Sequence, residues 1–95
     1  MTMQYDVKSA YTAADAALVA YPVRLKGAYV SVGTGGATPV TFYDNASAAS
    51  GTVLLRVGVT AAGAHTVVIP AEGIRAVNGI YCDTGNADAV TIFYG

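Results

Sequence analysis

The sequence predicts an all-β protein, an antiparallel β-sandwich built from seven to eight short strands. Val, Thr, Tyr and Ile recur in short runs that Gly, Asn, Asp and Ser separate, at roughly 10-residue spacing. Residues 27–43 are also echoed by residues 79–93: each segment has a Gly-x-Tyr strand, a Gly-rich turn and a Val-Thr strand that ends in aromatic residues. Two such segments predict two hairpins, one in each of two sheets that face each other.

The first twenty residues have the least regular pattern. Residues 4–11 alternate loosely, which is typical of an edge strand. Residues 13–20 are ambiguous, because Thr12 and Asp15 resemble a capping box and the Ala content favours helix, whereas eight residues make only a marginal helix. We expect a loop that leads into a short strand over residues 17–20.

The next strand covers residues 23–32. Strict alternation places Leu25 and Tyr29 on one face and Arg24 on the other. Gly27 can mark a bulge at which the faces swap, in which case Tyr29 moves to the opposite face.

The rest of the chain predicts further short strands separated by turns. Residues 33–36 form a Gly-rich turn, residues 46–51 form a small polar loop, and Pro39 opens a strand because it donates no ladder hydrogen bond. The segments around Asn78 form either two strands or one bulged strand. The strands predicted in this part are residues 40–43, 52–60, 65–69, 73–77, 79–82 and 89–94.

The composition argues for one domain, residues 1–95, and against several function classes. Apolar residues make up 54% and charged residues 12% of the chain, and a net charge of −1 leaves no basic stripe for nucleic acid. The sequence shows no membrane-length apolar run, basic amphipathic segment or signal sequence, so we expect no membrane partner and synthesis in a cytoplasm. A surface with so few charges predicts that partners, including copies of the same chain, cover it. The alternative interpretation is that Ala and Gly raise the apolar fraction without making the surface adhesive.

The residues that could carry chemistry predict no catalytic, cofactor or metal site. His65 is the only histidine and follows a Gly-Ala turn, which favours a surface role over that of a catalytic base. Cys82 is the only cysteine, which excludes an intrachain disulfide, and its place in a strand favours a small packed side chain over a nucleophile. Residues 83–88 hold the residue types of calcium loops, but hairpin turns require the same types. Residues 33–36 lack the Gly-Lys-Ser/Thr ending of a phosphate loop.

Four segments of the chain carry a family resemblance. They are Leu-Lys-Gly-Ala-Tyr-Val at residues 25–30, Val-Thr-Phe-Tyr-Asp-Asn-Ala-Ser-Ala-Ala-Ser-Gly at 40–51, Gly-Ile-Arg-Ala-Val-Asn-Gly-Ile-Tyr at 73–81 and Val-Thr-Ile-Phe-Tyr-Gly at 90–95. In these segments the sequence resembles small virion structural proteins of tailed bacteriophages. The resemblance implies a jelly-roll or related β-sandwich, no enzyme activity and no cofactor, and a place on the virus particle.

Among virion proteins, the resemblance points first to a capsid decoration (cement) protein, because a short chain without a fibrous or coiled-coil segment suits a cap on a shell. It implies the major capsid protein or other virion proteins as partners, and assembly into the virion in the host cytoplasm. A homo-oligomer is expected, and the three-fold positions of a shell suggest a trimer. The alternatives are a tail, neck or fibre component, or a carbohydrate-binding receptor-recognition module that uses loops 33–38 and 83–88.

The interface of such a protein is expected to use exposed tyrosines and small polar loop residues. Tyrosine is large, rigid and amphipathic, and therefore common at interfaces. Residues 1–20 lie outside the resemblance and form either an N-terminal arm that reaches a neighbour or an edge strand. The predicted interface residues are Tyr5, Tyr11, Tyr21, Asn45, Ser47 and Ser50.

Overall fold

The computed structural model describes residues 7–33, 38–69, 72–85 and 87–95 of the chain. These residues form two packed antiparallel sheets without helices, which confirms the predicted fold class. The strands in chain order are β1 Lys8–Thr12, β2 Ala16–Val19, β3 Val23–Val32, β4 Thr38–Tyr43, β5 Val53–Val59, β6 Gly63–Val68, β7 Ile74–Ala76, β8 Ile80–Asp83 and β9 Ala89–Tyr94. The described residues thus hold nine strands rather than seven to eight, because the segments on the two sides of Asn78 are separate strands in different sheets.

The two sheets have the strand arrangement of a jelly roll. Sheet A has the order β1-β9-β3-β6. The short β7 pairs with the first residues of β3, and β6 pairs with the later residues of β3 along the same edge. Sheet B has the order β2-β8-β4-β5. With β6 and β7 taken as one interrupted strand, each sheet has four strands, and every connection except that from β4 to β5 crosses between the sheets. This is the double Greek-key pattern of jelly rolls.

The two repeated segments are not hairpins, so the prediction of one hairpin in each sheet is wrong. β3 and β4 lie in opposite sheets, and so do β8 and β9. The repeats pair with each other instead: β3 with β9, where Val30 lies opposite Val90, and β4 with β8, where Phe42 lies opposite Cys82. Each repeat is therefore a corner at which the chain passes from one sheet to the other, and the alternating apolar residues of both its strands face one shared core.

A bulge at the middle of β3 decides which way its second half faces. The pairing of β3 with β9 shifts register between Leu25 and Gly27, as the sequence allowed. Leu25 is buried before the bulge and Ala28 after it, so the inward positions change from odd to even numbers and Tyr29 faces outward. Gly27 suits this position, since a Cβ there would lie 3.0 Å from the carbonyl oxygen of Val67.

The core fills the space between the inward faces of the two sheets. Its largest fully buried side chains come from strands of both sheets, so the sheets depend on each other. Burying one such side chain stabilises the fold by about 1.5–3 kcal/mol relative to leaving it exposed. These side chains are Leu25, Val30, Val40, Phe42, Ile80, Val90 and Ile92.

The N-terminal strands are edge strands. β1 lies at the edge of sheet A beside β9, and β2 lies at the edge of sheet B beside β8. β2 replaces the helical alternative for residues 13–20 and begins one residue before the predicted strand. Asp15 anchors the turn between β1 and β2, because its Oδ1 accepts hydrogen bonds from Thr84 N and Thr84 Oγ1, both at 2.8 Å. The first residues of the predicted edge strand, 4–6, lie outside the described residues.

Candidate binding surface on sheet A

One face of sheet A points away from the core and combines side chains from four strands. Cross-strand partners share a face, and Tyr11 lies opposite Thr91, which lies opposite Tyr29, which lies opposite Thr66. Neighbouring rows, two residues further along each strand, join the same face. The outer face of sheet A thus consists of Ser9, Tyr11, Gly27, Tyr29, Ser31, Ala64, Thr66, Val68, Ala89, Thr91 and Phe93.

The outer face of sheet A is uncharged and rich in exposed apolar groups. None of its residues is Asp, Glu, Lys or Arg. The exposed fraction is 80% for Val68, 67% for Tyr11, 42% for Tyr29 and 40% for Phe93. The Phe93 ring extends over Gly27, since its Cδ2 lies 3.5 Å from where a Gly27 Cβ would be. Exposed apolar groups that adjoin one another, rather than lying singly, mark interaction surfaces.

The outward face of sheet B has a different character. Asp83, Thr41 and Arg56 form one of its rows, so both signs of charge lie on it. Arg56 Nε donates a hydrogen bond to Thr41 Oγ1 at 3.2 Å, which holds the guanidinium along the sheet. The two faces of the sandwich are therefore unequal, and the outer face of sheet A is the better candidate for contact with a partner.

Basic residues border one end of the outer face of sheet A. Arg24 on β3 and Arg75 on β7 are direct cross-strand partners. Both alternate with inward-packed neighbours, Leu25 and Ile74, so both side chains lie on the outward side. Lys26 follows Arg24 on β3, and its Nζ donates a hydrogen bond to the carbonyl oxygen of Glu72 at 3.0 Å.

The two predicted interface tyrosines that the structure describes lie in different places. Tyr11 belongs to the outer face of sheet A. Tyr21, 50% exposed, lies in the short connection from β2 to β3, and a side-chain hydrogen bond with Tyr21 raises the pKa of Tyr94. Tyr5 lies outside the described residues. The structure therefore does not bring Tyr11 and Tyr21 together on one face.

The predicted polar loop residues lie together in the β4–β5 connection. Asn45 Oδ1 accepts hydrogen bonds from Ser47 N at 2.8 Å and Ala48 N at 2.9 Å. Asn45 Nδ2 donates to the carbonyl oxygen of Ser50 at 3.1 Å. The Asn45 amide therefore folds the loop, and its side chain also forms hydrogen bonds with the hydroxyls of Ser47 and Ser50, both of which are exposed.

Of the four large exposed side chains on the outer face, only Tyr11 is predicted from the sequence, and Tyr29, Val68 and Phe93 are not. The alternation of side chains along a strand could have indicated two of them. Val68 and Phe93 each lie two residues after a Thr that faces outward on the same strand. Tyr29 could be placed only by accepting the bulge at Gly27. The sequence alone does not give the strand register, and it is this register that places the three residues on neighbouring strands.

The residues with reactive side chains do not form a catalytic cluster among the described residues. His65 is half-buried in β6 of sheet A, with Nε2 3.3 Å from the carbonyl oxygen of Ala61. Cys82 is buried in sheet B, and burial, aided by the negative charges of Asp15 and Asp83, raises the pKa of its thiol to about 12. Asp83 Oδ1 accepts a hydrogen bond from Gly85 N at 3.2 Å, as in an ordinary turn. Within the described ranges, no group of three His, Cys, Asp or Glu residues could hold a metal ion.

Comparison of the chain with protein-family models, with curated proteins and with solved structures found no match. In the part of the chain that the structure describes, no helix is long and apolar enough to cross a membrane.

Proposed function

We propose that the protein is a non-enzymatic bacteriophage virion structural protein, a capsid decoration protein that binds the shell through the outer face of sheet A. The observation that carries the proposal is the uncharged surface on which Tyr11, Phe93, Tyr29 and Val68 lie exposed, one on each of the four successive strands of sheet A. Its support is threefold: the exposed apolar surface, the sequence resemblance, and the jelly-roll arrangement, which many viral capsid domains share. Fold alone does not fix function, so the surface is the part to test.

The mechanism of attachment is burial of surface rather than chemistry. A sheet face is rigid, so Tyr11, Tyr29 and Phe93 lose little freedom when a partner covers them. Many copies that each bind weakly give strong total attachment by avidity, especially if the chain is a homo-oligomer such as a trimer. The partners in this proposal are the major capsid protein, or other virion proteins, and the location is the virion after assembly in the host cytoplasm.

The test mixes the purified chain with capsids, and separately with tails, of the phage that carries its gene, and measures co-sedimentation. We expect binding to capsids, and a loss of at least about tenfold in affinity for Tyr29→Glu, because a charge would be buried at the centre of the interface. The matched control is Val53→Glu on β5, since Val53 is 43% and Tyr29 42% exposed. Binding to tails alone would contradict the capsid assignment, and equal losses for both variants would contradict the assignment to this face. Light scattering on the free chain then shows whether it is a trimer before it meets the particle.

A second candidate is a carbohydrate-binding receptor-recognition module. One observation favours it: Tyr11, Thr91, Tyr29 and Thr66 form a continuous row in which aromatic rings alternate with hydroxyl groups. Rings of this kind can pack on sugar faces while hydroxyls bind their polar edges. The predicted glycan loops, 33–38 and 83–88, fall partly outside the described residues, so this row is the better place to test. Retention on a glycan array that is lost in Tyr29→Ala and kept in Val53→Ala supports this candidate.

A further inference from the structure

Arg24 and Arg75 present two positive charges side by side on the surface of sheet A. They are direct partners across the β3–β7 pairing, and both side chains lie on the outward side. Like charges placed directly opposite each other destabilise a sheet. An anion held by both guanidinium groups would remove this repulsion.

A surface pocket lies beside the two arginines. Its volume is about 200 Å³, and its lining consists of Pro22, Val23, Arg24, Arg75 and Ala76. It is smaller than the roughly 300–1,000 Å³ of pockets that hold drug-sized ligands, so a small group fits it better than an extended one. The rest of its lining, Pro22, Val23 and Ala76, is uncharged, so the two arginines are the charged groups of the lining that an anion would meet.

The distribution of charge along the chain points the same way. The chain has five Lys and Arg residues in total, and Arg24, Lys26 and Arg75 lie on the adjoining segments of β3 and β7. Lys26 is directed to the β6–β7 connection by its hydrogen bond to Glu72, which leaves Arg24 and Arg75 to line the pocket. The planar fork of arginine binds carboxylate and phosphate groups through two parallel hydrogen bonds.

We infer that the pocket lined by Arg24 and Arg75 is a binding site for a small oxyanion, a carboxylate or a phosphate group. Each guanidinium donates to the oxygens of the anion, and the anion removes the repulsion between the two strands. The site does not depend on the proposed attachment to capsids, because neither Arg24 nor Arg75 belongs to the outer face of sheet A as defined above.

The test is an NMR titration of the nitrogen-15-labelled chain with sodium phosphate and, in a parallel series, with sodium malonate. Sodium chloride keeps the ionic strength constant, so that general screening does not change. The backbone amide signals of residues 23–25 and 74–76 are expected to shift and saturate with at least one of the two anions. The more strongly bound anion identifies the preferred group as phosphate or carboxylate.

Matched variants separate a built site from general attraction. Arg75→Gln is expected to weaken the apparent affinity at least about tenfold, and Arg75→Lys, which keeps the charge and loses the fork, to weaken it less. Lys8→Gln is the control, since it removes one positive charge from the exposed edge strand β1 and is expected to leave the affinity unchanged. Shifts that do not saturate, that spread equally around Lys8 and Arg56, or that persist in Arg75→Gln would overturn the inference.

A second measurement keeps the inference testable if one variant folds poorly. In sodium chloride alone, Arg24→Gln and Arg75→Gln are expected to melt at no lower temperature than the unsubstituted chain, because each removes the like-charge contact. The bound anion is expected to raise the melting temperature of the unsubstituted chain and not that of either variant. An equal rise in all three proteins would contradict a site at the arginine pair.

Discussion

Asp44 and Asn78 are joined by a hydrogen bond of 2.8 Å from the Asn78 backbone N–H to Asp44 Oδ1, although they lie 34 residues apart in sequence. Asp44 Oδ2 also accepts from Val77 N at 3.1 Å. Asp44 follows the last residue of β4, and Val77 and Asn78 form the crossover from β7 to β8. One carboxylate therefore ties the end of a sheet B strand to the segment that passes from sheet A to sheet B.

The Asp44 contact predicts a loss of stability on substitution. Asp44→Ala is expected to lower the free energy of unfolding by about 1–2 kcal/mol, because two charge-assisted hydrogen bonds are lost at a site that solvent partly screens. Asp44→Asn keeps one acceptor oxygen and is expected to lose less. Urea unfolding followed by circular dichroism measures both, and equal stability of Asp44→Ala and the unsubstituted chain would show that the crossover does not need this contact.

Asp44 also predicts a dependence on pH. The hydrogen bond from Asn78 N–H, opposed in part by burial and aided by Val77, holds the pKa of Asp44 below its ordinary value of 3.8. Because the pKa is lower in the folded than in the unfolded state, the stabilisation is complete above pH of about 3.8 and is lost as the pH falls through the lowered pKa. The difference in stability between the unsubstituted chain and Asp44→Asn is expected to shrink over that range. A difference that stays constant would contradict an ionised Asp44 as the cause.

The contact between Asp15 and Thr84 predicts a second, separate loss. Thr84 is buried, and both its N–H and its hydroxyl donate to Asp15 Oδ1. Thr84→Val removes the hydroxyl donor with little change of shape and is expected to cost about 1–2 kcal/mol in the free energy of unfolding. Thr84→Ser is the control, since it keeps the donor and loses one methyl group. The same urea unfolding experiment compares the two, and a larger loss for Thr84→Ser would assign the role to packing.

Strand positions could be read from the sequence because they depend on local alternation. The predicted strand 23–32 coincides with β3, and the bulge suggested by Gly27 lies where the register shifts. Each of these features requires only the pattern of neighbouring residues and the conformational freedom of glycine.

The partner of each strand could not be read in the same way. A Gly-rich segment between two apolar strands is compatible with a hairpin in one sheet and with a passage between two sheets, and here β3 and β4 lie in different sheets. The choice depends on contacts between β3 and β9 and between β4 and β8, which are far apart in sequence. The residues of the outer face of sheet A come together only through the register of four strands. For this reason Tyr11 is the only one of them that the sequence predicts as an interface residue.

The buried thiol of Cys82 predicts slow labelling and a loss of stability at high pH. Its pKa is raised to about 12 from an ordinary value of 9.0, chiefly by burial. Because the folded state holds the proton more tightly than the unfolded state, stability is expected to decrease as the pH rises from about 9.0 toward 12. Cys82→Ala is the control and is expected to lose less stability over this pH range. The difference between the two proteins separates the contribution of the thiol from that of Tyr and Lys titration. Labelling by a disulfide reagent is expected to be far slower in the folded chain than in urea, and equal rates would contradict burial of the thiol.

Three glycines allow backbone strain and steric contact to be separated in one series. Among the described residues, chain neighbours aside, no atom lies within 4 Å of the position of a Cβ on Gly58. Gly63 has the same open space among those residues, but with a φ of +135°. Gly79 has a φ of +148°, and the carbonyl oxygen of Val19 lies too close to where its Cβ would be. Gly58→Ala is expected to change the free energy of unfolding by less than about 0.5 kcal/mol. Gly63→Ala is expected to cost about 1–3 kcal/mol from strain alone. Gly79→Ala is expected to cost more than either. Besides the strain, its new methyl group must push the end of β2 away from Gly79, which lies just before β8. Urea unfolding of the three variants tests the order, and a Gly79→Ala variant as stable as Gly58→Ala would show that the approach of Val19 to Gly79 is not tight.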